Sequence, residues 1–131
     1  MPILNYKPKR RVKNLFQFIT QYHLPNIKFK LTLLYLLNIS DIILTLILLK
    51  TGLIIEANPI MAYVIQNKSA TILVKGILPG LLFMYLYLRL KSASIQMTKV
   101  TNYCLILLIV FYFLINCLHL IWFTLLPWFS Y

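Results

Sequence analysis

Acidic side chains are nearly absent from this sequence. Of its 131 residues only two are acidic, Asp41 and Glu56, whereas 13 are lysine or arginine, and charged residues of both signs make up only 11%. Hydrophobic residues make up 61%, which is far too many for a soluble domain of this size. The composition therefore excludes an ordinary soluble domain and predicts an integral membrane protein.

The usual motifs of catalysis are also missing. No HExxH pattern, paired metal-ligand spacing or serine nucleophile elbow occurs, so we predict no catalytic residue, no metal site and no cofactor. The only cysteines, Cys104 and Cys117, lie in one apolar run. They fall at different depths of one helix and cannot pair with each other without breaking it, so we interpret them as packing residues.

Three long apolar runs are present, at about 31–50, 70–90 and 100–123. Each is long enough for a membrane-spanning helix, which needs about 20 residues. No small-residue cleavage site follows the first run, so we expect it to remain as an uncleaved helix. We predict an all-α integral membrane domain over residues 31–131, with Pro127 ending the third span.

A short helix is predicted between the first two spans, along the outer surface. Asn58 is a favourable N-cap and Pro59 a favourable first helical residue, and the following Ile60–Lys68 is too short to span a membrane. Inside the second span, Pro79 lacks an N–H group, so the carbonyl of Lys75 four residues earlier loses its helical donor.

Residues 1–30 form a basic segment before the first span. Leu15, Phe16, Ile19 and Tyr22 recur at helical spacing, which favours an amphipathic helix lying in the headgroup layer; a flexible basic tail is the alternative. We expect anionic lipid at the inner surface as a partner and no nucleic acid, because the positive residues flank apolar runs. The candidate lipid-binding residues are Lys7, Lys9, Arg10, Arg11, Lys13, Lys28 and Lys30.

The distribution of positive charge predicts the orientation. Seven lysines and arginines precede the first span and three lie between the second and third, whereas only Lys50 and Lys68 lie between the first and second. The positive-inside rule then gives a multi-pass protein of the cell membrane with a cytoplasmic N-terminus and a C-terminus outside.

Polar residues within the spans are the candidates for a site. Asp41 lies about 15 Å along the helix from Leu31, near mid-membrane, where a carboxylate costs about 2.5–3.5 kcal/mol. Lys75 is the cation within reach on another span, and we hypothesise that it pairs with Asp41. The candidate cluster comprises Asn38, Asp41, Thr45, Glu56, Asn58, Lys75, Asn116 and His119.

Several interpretations of this cluster remain open. An Asp41–Lys75 pair either fixes helix register or belongs to a site that binds an ion, a proton or a ligand. Lys75 alternatively extends to the outer headgroups, and Glu56 is alternatively an exposed loop acid. Asn116 alternatively bonds only a neighbouring helix, and His119 is more often a packing residue than a ligand at such a position.

One pattern resembles a known family. Asp41-x-x-x-Thr45, then Glu56-x-Asn58-Pro59-x-Met61 and Val74-Lys75, is similar to an uncharacterised family of small bacterial and archaeal membrane proteins, catalogued as a domain of unknown function. The resemblance covers roughly residues 31–90. It implies a compact three-helix membrane domain and supplies no activity, substrate or cofactor.

Three classes of function are therefore considered. The first, which we favour, is a non-enzymatic accessory or self-associating module, acting as a homo-oligomer or with a partner membrane protein. Its candidate helix contact is the small-residue pair Gly76 and Gly80. The second is an oligomeric transporter or channel component with Asp41 and Lys75 on an ion or proton path. The third is an intramembrane enzyme.

Overall fold

A computed structural model describes residues 15–52 and 55–129 of the chain. Within these ranges the regular structure is entirely helical, with no strand. The elements in order are α1 (Leu15–Thr20), α2 (Leu24–Lys50), α3 (Pro59–Ile65), α4 (Lys68–Thr71), a π-helical turn (Ile72–Ile77), α5 (Leu78–Leu90) and α6 (Ile95–Phe129). Because α4, the π turn and α5 follow one another without a break, they form one continuous helix.

Three helices are long and apolar enough to cross a membrane: α2, the continuous helix Lys68–Leu90, and α6. This finding confirms the prediction of an all-α protein with three spans. The short helices α1 and α3 also form where the sequence predicts short helices. The chain therefore has the architecture of a multi-pass membrane protein.

Two spans differ in length from the prediction. Helix α2 begins at Leu24, seven residues before the predicted start, with a proline in its first turn, where the missing N–H group costs nothing. Helix α6 runs from Ile95 to Phe129 and contains Pro127, so the prediction that Pro127 ends the third span is wrong. A proline removes one donor, and at this position the helix continues for two more residues.

The apolar core lies at one end of the three-span bundle. Ile27, Leu31 and Leu34 near the start of α2 pack with Leu90 at the end of α5 and Leu105 near the start of α6. Since lipid is as apolar as these side chains, close packing holds the helices together here. The opposite end of the bundle, where α2 ends, carries the polar groups of the candidate site.

Lys30 is a correction to the predicted lipid contacts. Its side chain is fully buried, and Nζ donates hydrogen bonds to the carbonyl oxygen of Gln21, at 2.8 Å, and to Oδ1 of Asn102. The ammonium also lies 5.0 Å from the centre of the Phe18 ring. Because α2 starts at Leu24, Lys30 lies within the helix and faces α6, so it does not face lipid headgroups.

The remaining lipid-binding candidates have two outcomes. Lys28 is exposed at the beginning of α2, as a lipid contact requires. The other five, Lys7, Lys9, Arg10, Arg11 and Lys13, lie outside the described residues.

Candidate functional site

Asp41 takes its partner from the third span. Its Oδ1 atom lies 3.0 Å from Nδ1 of His119 on α6, and the two side chains are 16% and 23% exposed. No other cation–carboxylate contact of 4.0 Å or less occurs among the residues that the structure describes. The predicted Asp41–Lys75 pair is therefore not formed, and His119 is more than a packing residue.

The backbone carbonyl of Lys75, which has no helical donor because residue 79 is proline, accepts a hydrogen bond from a side chain. Asn38 Nδ2 donates a hydrogen bond to the carbonyl oxygen of Lys75 at 2.7 Å, which replaces the donor that Pro79 lacks. Around this carbonyl, Ile72–Ile77 form a π-helical turn, a feature that is frequent at functional sites. Asn38 therefore joins the cluster through the backbone of Lys75.

Asn116 connects two spans. Its Nδ2 donates hydrogen bonds to the carbonyl oxygens of Leu37 on α2, at 3.1 Å, and of Tyr112 one turn earlier on α6, at 2.8 Å. Such side-chain bonds between helices are a common means of fixing helix packing in membranes. The bonds of Asn116 hold α6 against α2 next to the Asp41–His119 contact.

A partly open cleft of about 560 Å³ lies at the end of the bundle where α2 ends. This volume falls in the range of small-molecule sites, roughly 300–1,000 Å³. Its wall combines ionisable groups with aliphatic side chains and one aromatic ring. The lining residues are Asp41, Thr45, Leu48, Leu49, Ile55, Glu56, Ala57, Lys75, Ile115, His119 and Trp122.

Five of the eight predicted cluster residues therefore line one cleft, whereas Asn58 has another role. Asn58 Oδ1 accepts hydrogen bonds from the N–H groups of Ile60, at 3.1 Å, and Met61, at 3.5 Å, so it caps α3 as predicted. The Asn58 N–H donates to Oε1 of Glu56 at 3.2 Å. The Glu-x-Asn-Pro sequence thus starts α3 and holds the Glu56 carboxylate at the rim of the cleft.

Sequence reasoning missed the contribution of Trp122. Its position near the end of the third span is typical of an interfacial anchor, and only the packing of α6 against α2 places it on the cleft wall. Within the described ranges no group of three His, Cys, Asp or Glu side chains is arranged to hold a metal ion. The cleft lining offers charged groups, hydrogen-bonding groups and one indole ring.

Comparison with known proteins places the chain in a family. No curated protein and no solved structure matches it. One family model, described as a domain of unknown function (DUF5658), matches residues 32–125. The match includes the third span, which carries His119 and lies outside the region of resemblance in the sequence. The chain belongs to the DUF5658 family.

Proposed function

We propose that this protein is a non-enzymatic module of the cell membrane that binds a small polar ligand in its cleft. It acts as an accessory to other membrane proteins or in association with further copies of itself. The single observation that carries the proposal is the lining of one cleft of about 560 Å³. It contains both acids of the chain, Asp41 and Glu56, together with Lys75 and His119.

A purely structural role explains this arrangement less well. Ionisable groups within a membrane are costly and mark functional sites by default, and a pair that only fixes helix register needs no cleft beside it. Lys75 and Glu56 line the cleft, yet neither has an oppositely charged partner among the described side chains. Their charges are consistent with a ligand that supplies the missing partners.

The proposed setting in the membrane follows from charge and exposure. The excess of lysine and arginine before the first span favours a cytoplasmic N-terminus, with anionic lipid bound by the basic segment. Only 11% of the apolar stretch is buried within the chain in each of the second and third spans. These helix faces are open to lipid and to other membrane proteins, which supports association.

Native mass spectrometry of protein in nanodiscs prepared directly from host membranes tests ligand binding. The wild type should retain a bound small molecule, and Lys75→Met should lose it because the ammonium group that binds it is gone. Lys68→Met is the matched control, since Lys68 is exposed and lies outside the cleft. An identical bound mass in all three proteins, or none in the wild type, contradicts the proposal.

A further inference from the structure

The ammonium of Lys75 is the first indication of the ligand's chemistry. Lys75 lines the cleft at the π-helical turn, and its backbone carbonyl accepts a hydrogen bond from Asn38. Neither acid lies within 4.0 Å of its Nζ. A cation without a carboxylate partner, next to apolar walls, is a binding point for an oxyanion.

His119 adds a second donor on the same wall. Its Nδ1 faces Asp41 at 3.0 Å, and its other ring nitrogen makes no hydrogen bond within the described part of the chain. A ring nitrogen of an imidazole donates a hydrogen bond when it carries the proton, so this second nitrogen can donate to a ligand. Lys75 and His119 thus offer an ammonium group and a ring nitrogen to one anionic group.

Glu56 supplies the opposite charge at the rim. Its Oε1 accepts one backbone hydrogen bond, from Asn58, which leaves the rest of the carboxylate for another donor. Trp122 lies on the same cleft, and an indole face attracts cations. The rim therefore suits an ammonium group.

We infer that the ligand is a phosphate ester bearing a primary amine, with its phosphate against Lys75 and His119 and its ammonium against Glu56. The inference rests on the proposed function of the cleft. A simple anion would meet the unpaired Glu56 carboxylate, and a simple cation would meet the unpaired Lys75 ammonium, whereas a compact zwitterion matches both charges.

The same chemistry has two sources, the headgroup of phosphatidylethanolamine and a water-soluble phosphoethanolamine ester. Binding is measured by the fluorescence of Trp122 in Trp128→Phe protein, since these are the chain's only two tryptophans. The soluble probe is glycerophosphoethanolamine, and glycerol 3-phosphate and ethanolamine are the single-charge controls. Two kinds of nanodisc distinguish the lipid source: one contains only phosphatidylcholine, and the other contains phosphatidylethanolamine as well. If the lipid headgroup is the ligand, the soluble probe binds more weakly in the second kind, because the bound lipid competes with it.

Glycerophosphoethanolamine should bind about tenfold or more tightly than either single-charge control, the loss expected for one charge-assisted contact. Lys75→Met and Glu56→Gln should each weaken it by a similar factor, and Lys68→Met should leave it unchanged. Equal binding of a single-charge control, or no binding of glycerophosphoethanolamine, overturns the inference. The proposed function fails separately, if the bound mass in native spectra is the same in Lys75→Met as in wild type.

Discussion

Asp41 shows how a single carboxylate is accommodated at mid-membrane. Its side chain is 16% exposed and contacts His119 on α6 at 3.0 Å, whereas the predicted pair with Lys75 is not formed. Removing one member of such a pair leaves the other buried without a partner, and this penalty exceeds the net stabilisation by the pair. The contact between α2 and α6 therefore depends on both side chains.

A double-mutant cycle measures this dependence. Asp41→Asn and His119→Gln should be coupled by about 1–3 kcal/mol in the free energy of unfolding, because the two side chains are in contact. Asp41→Asn and Lys75→Met should be coupled less strongly, since no contact of 4.0 Å or less joins their charged atoms. Unfolding in mixed micelles by added dodecyl sulfate gives both values. Stronger coupling of Asp41 to Lys75 than to His119 would contradict the structure.

The sequence shows which polar residues belong together but not which of them touch. The expectation that ionisable and polar groups in spans face the bundle interior groups Asn38, Asp41, Thr45, Lys75 and His119 in one cluster. The partner of Asp41 depends on the rotation of each helix about its axis, and each residue turns a helix by 100°. The apolar composition of the spans does not fix that rotation. The sequence therefore predicts Lys75 as the partner of Asp41, whereas in the structure the partner is His119.

At the scale of elements, two sets of side-chain hydrogen bonds join the helices. One is the buried Lys30 of α2, which bonds to Gln21 beyond the end of α1 and to Asn102 of α6. Asn102 in turn donates from Nδ2 to the carbonyl oxygen of Ile19 at 2.9 Å. Helix α1 is thereby held against α2 and α6 by polar contacts, which is more specific than adsorption to a lipid surface.

Lys30→Met should release α1 from this site. The substitution leaves two acceptors without their donor, at a cost of about 1–3 kcal/mol for an unsatisfied buried group. Hydrogen exchange of the backbone amides in residues 15–20 should become faster, as measured by mass spectrometry. Lys28→Met is the matched control, because Lys28 is exposed two residues away. Equal exchange in both variants would show that Lys30 does not hold α1.

The second contact between helices is the hydrogen bond that Asn38 donates to the carbonyl oxygen of Lys75, one turn before Pro79. Asn38→Leu should destabilise the protein by about 1–3 kcal/mol, because a buried carbonyl loses its donor. The loss should shrink in a Pro79→Ala background, where residue 79 regains an N–H group for that carbonyl. The test compares the free energies of unfolding of the wild type, the two single variants and the double variant. An unchanged loss in the Pro79→Ala background would contradict the bond's role.

For the whole molecule, the packing of three apolar spans around a small number of buried polar groups is the main organising feature. The number and order of the spans follow from three apolar runs, each of about the length that a bilayer requires. The first and last residues of the spans do not follow from these runs. Lys28 and Lys30 interrupt the apolar pattern at the start of α2, and Pro127 does not end α6. The cleft forms only when the three spans are packed together, so its volume and the position of Trp122 are tertiary properties.

Access of water to the cleft tests the central claim most directly. Thr45 lines the cleft, whereas Ile43, two residues earlier on α2, is 52% exposed on the apolar surface outside it. Each is replaced by cysteine in a Cys104→Ser, Cys117→Ser background, and the protein is reconstituted in liposomes. A charged, membrane-impermeant methanethiosulfonate reagent then reports contact with water, because the thiolate is the reactive form and the bilayer core is dry.

Thr45→Cys should react about tenfold or more faster than Ile43→Cys, since only thiols in contact with water ionise and meet the reagent. That result means that the cleft with Asp41, Lys75 and His119 is a hydrated site inside the membrane. Equal protection of both cysteines from the reagent would mean that the cleft is closed and dry, and would contradict a binding function for it.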